Sequence, residues 1–123
     1  MAEALADLVT VAAVAADAKG GQETVVLEVG DVLAITDYFV ITSAANTRAV
    51  KTIAEEVEVR VAEAGGGKPI SVEGLDDLRW VLIDYSGFVI HVFLDETRRY
   101  YDLERLWADV PRLDWATPAA RSV

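Results

Sequence analysis

Residues 80–93 read Trp80-Val81-Leu82-Ile83-Asp84-Tyr85-Ser86-Gly87-Phe88-Val89-Ile90-His91-Val92-Phe93, two β-branched and aromatic runs parted by Ser86-Gly87. Runs of this kind joined by two turn residues form a β-hairpin. The turn fixes the register: Tyr85 faces Phe88, Asp84 faces Val89, Leu82 faces His91 and Trp80 faces Phe93. Side chains alternate along each strand, so one face carries Val81, Ile83, Tyr85, Phe88, Ile90 and Val92. That face is apolar or aromatic throughout and must lie against helices. The other carries Trp80, Leu82, Asp84, Val89, His91 and Phe93. As core beneath the C-terminal helices, that second face needs hydrogen-bond partners for its acid and its imidazole. As a partner surface it needs none, because a Trp anchor with polar neighbours is typical of an interface centre.

Upstream of the hairpin, Ala2 to Ala18 repeats Leu5, Leu8, Val9, Ala12 and Ala15 at helical spacing, and Gly20-Gly21 stops it. Thr24–Val29 and Asp37–Ser43 read as strands. Asn46 or Thr47 caps a helix running to about Ala64, with Val50, Ile53, Ala54, Val57 and Val61 as its buried stripe. Gly65-Gly66-Gly67 ends that helix, and a third strand follows from about Lys68 to Glu73. Downstream, Asp95 is placed to cap a helical stretch through Tyr101, and Asp102 a second through Leu106-Trp107. Tyr100, Tyr101 and Trp107 recur with Leu103 and Leu106 at helical spacing and read as core. Residues 1–110 form a single domain, and residues 111–123 read as a flexible tail. The order is helix, two strands, helix, three strands, helix: an α/β fold with a mixed five-stranded sheet and flanking helices.

The chain has 123 residues, 21 acidic against 11 basic, a formal net charge of -10 and no cysteine. Disulfides and thiolate chemistry are therefore excluded, which agrees with a reducing compartment. No signal peptide or membrane span is read from the sequence, so a cytoplasmic location is expected. An acidic surface gains nothing from counterion release on DNA or RNA, which argues against direct nucleic-acid binding. It favours basic partners instead.

Catalytic chemistry finds little support. His91 is the only histidine, too few for a zinc site and unaccompanied by a nucleophile elbow. It reads as a structural histidine. The triple glycine ends a helix, the reverse of what a phosphate-binding loop requires. Glu55-Glu56 reads as a solvated helix face, and Asp76-Asp77 sits in a turn. Arg98-Arg99 is the one basic pair flanked by aromatics. A surface ion pair with Glu96 or Asp102 is its simplest role.

Taken together, several strings resemble one family. They are Ile35-Thr36-Asp37-Tyr38-Phe39-Val40, Val72-Glu73-Gly74, Trp80 to Tyr85, Val89 to Phe93, Glu96-Thr97-Arg98 and Tyr101 to Trp107. In this order they are similar to the bacterial ribosomal silencing factors, RsfS, of the Iojap-related family, from about Ala4 to Val110. The resemblance implies a topology related to nucleotidyltransferases. It also implies a translational repressor that binds the large ribosomal subunit through ribosomal protein L-fourteen. Such a repressor blocks joining of the small subunit when nutrients are scarce, uses no cofactor and forms a homodimer when free. On the same grounds Trp80 matches a position implicated in the contact, and Asp84, Tyr85, His91, Phe93 and Arg98 follow from its neighbourhood. The fold analogy raises a rival, an active nucleotidyltransferase. That enzyme needs a Gly-Ser loop and paired aspartates holding magnesium. Here the loop is Ser43-Ala44-Ala45-Asn46-Thr47, and Asp84 stands alone on its strand. A bare dimerisation or scaffold module is the third class.

Overall fold

The computed structural model describes residues 2–33 and 35–116. Helix α1 (Ala2–Ala18) leads into strands β1 (Gln22–Glu28) and β2 (Tyr38–Ala44), followed by α2 (Thr47–Glu63). Strands β3 (Ser71–Glu73), β4 (Trp80–Asp84) and β5 (Phe88–Leu94) complete the sheet, and α3 (Asp95–Tyr101) and α4 (Leu103–Leu106) follow. The strand order is β1-β2-β5-β4-β3. Only β2 and β5 pair in parallel; β1 with β2, β4 with β5 and β3 with β4 are antiparallel. The mixed five-stranded sheet expected from the sequence is thus present.

Helices α1 and α2 cover one sheet face. The α2 stripe is buried as expected, at Val50, Ile53, Ala54, Val57 and Val61. Asn46 begins that helix, its side chain accepting from the Ala49 N–H at 2.8 Å. In α1, small Ala12, Ala13, Ala15 and Ala16 are buried, which lets the helix lie close against the sheet. Opposite them stand Val26, Val40, Val81, Ile83, Phe88, Ile90 and Val92 in one continuous core. The apolar hairpin face lies there.

The second face holds a smaller core of Leu27, Val29, Phe39, Ile41 and Phe93. Leu103, Trp107 and Val110 pack on it, with the Trp107 ring edge-on to Phe39 at 5.6 Å. Toward β4 this cover stops, and part of the face stays open.

Four expectations are corrected. The third strand starts at Ser71 rather than Lys68, because Pro69 has no N–H for the ladder and only the Ile70 N–H, donating to the Asp84 carbonyl, precedes it. Asp95 lies inside α3, and neither it nor Asp102 makes a side-chain cap bond; Asp102 takes the left-handed conformation at φ 48° between the two helices. Tyr100, Tyr101 and Leu106, read as core, are 81%, 54% and 76% exposed, because α3 turns inward only at Arg98. Residues 111–115, read as tail, run along β1 instead. There Glu28 N–H donates to the Pro111 carbonyl, Leu113 N–H to the Val26 carbonyl, and Trp115 Nε1 to the Thr24 carbonyl. The remainder of that segment, 117–123, lies outside the described residues.

Candidate functional site

The hairpin register is the expected one, with Trp80 opposite Phe93, Leu82 opposite His91 and Asp84 opposite Val89. Ser86 takes the positive φ of the turn, 75°. That conformation is costly for a residue with a Cβ. Asp84 supports it by accepting from the Ser86 N–H at 2.8 Å. This bond answers the question of the acid's partner.

His91 is answered on the same face. Trp80 Nε1–H donates to His91 Nδ1 at 3.1 Å, so the remaining imidazole proton sits on Nε2. The ring is 4% exposed, lies edge-on to Phe39 at 4.8 Å and is stacked with Phe93 at 6.2 Å. Burial pushes its pKa down from 6.5 to about 4, so the imidazole is neutral at pH 7 and serves as an acceptor for Trp80.

Trp80 itself is half-buried. Its ring packs on Phe93 at 4.8 Å and on Tyr101 at 5.0 Å, and Tyr101 meets Tyr100 edge-on at 5.0 Å. Trp80, Tyr100 and Tyr101 line an open groove of about 570 Å³ with Gly74, Asp77, Arg79, Glu96 and Thr97. Gly74 has φ 91°, and a Cβ there would lie 2.0 Å from the Trp80 carbonyl oxygen. A glycine is therefore required where the chain turns past the tryptophan. The groove joins a pinned aromatic, two exposed tyrosines and both signs of charge. It resembles an interface centre more than a reaction site.

Arg98 is not a surface contact. It is 7% exposed. Its Nε and Nη2 donate to the two carboxylate oxygens of Glu104, each at 3.0 Å. Nη1 donates to the Gln22 carbonyl at 2.9 Å and Ser43 Oγ at 3.0 Å, and Nη2 also to the Glu23 carbonyl at 2.7 Å. Glu23 has φ 46° at an irregularity in β1, and both neighbouring carbonyls converge on the guanidinium. The partner is Glu104 of α4, not Glu96 or Asp102, because Arg98 is buried rather than lying out along the helix surface. Arg98 thereby fixes the helix that carries Tyr101.

The remaining sequence candidates divide by face. Phe93 is fully buried beneath Trp80, and His91 is buried beside it, so both support the indole from below. Asp84 is half-buried at the turn end. Tyr85 belongs to the opposite face, stacked on Phe88 at 4.7 Å. Burial and the nearby Glu58 carboxylate push its hydroxyl up to about 12. Tyr100, Tyr101, Arg79, Asp77 and Glu96 were missed in the sequence. The signal for the tyrosines was available: α3 is too short for two buried faces, and Arg98 occupies the inward one. Among the described residues no three His, Asp or Glu side chains gather as a metal site would need.

Residues 2–122 match the family model described as ribosomal silencing factor during starvation. The chain belongs to this family. It is 36% identical over 107 residues to ribosomal silencing factor RsfS of Bacillus subtilis, covering 87% of this chain and 90% of that one. A crystal structure of a Chromobacterium violaceum protein superposes with a TM-score of 0.80 at 29% identity, over 84% of this chain and 85% of that chain. A second, from Bacillus halodurans, gives 0.75 at 34% identity, over 89% and 98%. Relatives reach into eukaryotic organelles: chloroplastic protein Iojap of Arabidopsis thaliana is 31% identical over 113 residues, covering 92% of this chain and 46% of that one. In this ribosomal silencing factor fold, Trp80 and its groove lie on the sheet face that α1 and α2 leave uncovered.

Proposed function

We propose that the chain is a translational repressor that binds the large ribosomal subunit through ribosomal protein L-fourteen and sterically blocks joining of the small subunit under nutrient limitation. The observation that carries the reading is the Trp80–Tyr101 groove, set on a rigid sheet within a ribosomal silencing factor fold. The net charge of -10 supports a basic partner such as a ribosomal protein. The mechanism is occlusion: a bound domain occupies space that the small subunit needs, and no bond is made or broken. In this reading the protein acts in the cytoplasm, without cofactor, and the free form is a homodimer.

The groove is tested with Trp80→Ala and purified large subunits. The indole forms part of the groove wall and packs on Tyr101, so its removal should weaken binding by at least ~2 kcal/mol. Thermal unfolding of the same variant separates lost contact from lost fold. Unchanged affinity in a folded Trp80→Ala protein rejects the groove as the interface.

A further inference from the structure

A second depression, of about 310 Å³, lies on the same sheet face beyond His91, lined by Phe39, Leu82 and Val89 among other apolar side chains. Ile35 and Ile70, also part of its lining, are 82% and 68% exposed. Exposed apolar side chains gathered round one depression mark a contact site, as singly scattered ones do not.

Two polar atoms in this lining are orphaned. His91 Nε2 and Thr36 Oγ1 are both buried without a hydrogen-bond partner among the described residues. Their residues are 4% and 7% exposed. Trp80 occupies His91 Nδ1, so Nε2 is an N–H donor in need of an acceptor. The one charged side chain in the described lining is Asp84, which disfavours an anionic acceptor and favours a neutral carbonyl beside a cation. The volume is at the bottom of the range of small-ligand pockets and gives room for one or two side chains. The depression is the groove's neighbour on the sheet: Trp80, which lines the groove, is hydrogen-bonded to His91, which lines the depression.

We infer that the depression is a second contact for the partner held in the groove, taking one apolar side chain and a main-chain carbonyl from a basic protein of the large subunit. The inference rests on the reading of the groove given above and names the chemistry of the adjoining contact. A stable interface covers roughly 800 Å² per partner, and a surface spanning both depressions approaches that more readily than one groove.

The test places a benzophenone photocrosslinking residue at Ile70 or at Tyr100 of the full chain, with purified large subunits as the target. Both probes are expected to attach to the same ribosomal protein. A crosslink from Tyr100 alone, or an Ile70 crosslink only to a second copy of this chain, overturns the second contact and leaves the groove standing. Absence of both crosslinks, with no co-sedimentation, removes the underlying reading and this inference with it. As a second measurement, the Ile35→Glu, Ile70→Glu double variant should bind subunits at least tenfold more weakly. The Val14→Glu, Val59→Glu double variant, on the far side of the molecule in α1 and α2 at positions 40% and 51% exposed, adds the same charge and should bind as the parent does. Equal binding by all three proteins contradicts the inference.

Discussion

Arg98 joins four parts of the chain through a single guanidinium: the β1 irregularity, Ser43 of β2, Glu104 of α4 and its own helix. Removing one partner of such a buried pair leaves the other charge and two carbonyls unsatisfied. Arg98→Ala should therefore cost about 3 kcal/mol in urea unfolding. Arg98→Lys should recover little of it, because one ammonium cannot span the same acceptors. A loss below 1 kcal/mol for either variant would contradict this account of Arg98. His91 makes a different demand. Its folded pKa is depressed from 6.5 to about 4, so the unfolded chain binds the proton more tightly. Its contribution is complete above pH 6.5 and is lost as pH falls from there toward 4. The full loss amounts to about 3 kcal/mol. Urea midpoints at pH 7 and pH 5 should separate more for the parent than for His91→Phe, and equal separations would refute the assignment.

At the scale of elements, the C-terminal segment is a sixth, irregular partner of the sheet. Residues 111–113 supply the backbone bonds that would otherwise be missing along the outer edge of β1, and Leu113 and Trp115 pack against the main core. Deleting residues 111–123 should lower stability by on the order of 2–3 kcal/mol, as expected for losing two large apolar contacts. A loose tail would leave the urea midpoint unchanged. This segment shows why legibility varied along the chain. The α2 stripe and the hairpin were readable because each repeats a strict period over many residues. The segment after Val110 has only Leu113 and Trp115 at the two-residue spacing of a strand, hidden among Pro111, Pro118 and small residues. Arg98 was misread for a related reason. Its partners are carbonyls and an acid brought from distant parts of the chain, and no local spacing encodes them. The Trp80 face was legible as a face, but the groove on it was not. His91 and Phe93 lie under the tryptophan, while the exposed tyrosines come from a short helix that the core pattern had absorbed.

Across the whole molecule, the two layers divide the labour. Helices α1 and α2 with the apolar sheet face hold the fold, and the opposite face, partly covered by Leu103, Trp107 and Val110, presents the groove and the depression beside it. The net charge of -10 then gives the domain attraction to a basic surface, an effect that added salt should weaken. The most direct measurement is sucrose-gradient sedimentation of the full chain with separated ribosomal subunits at low salt. The account predicts that the protein travels with free large subunits, is absent from joined ribosomes and reduces joining when it is added first. Protein left at the top of the gradient, or carried with joined ribosomes, would contradict it.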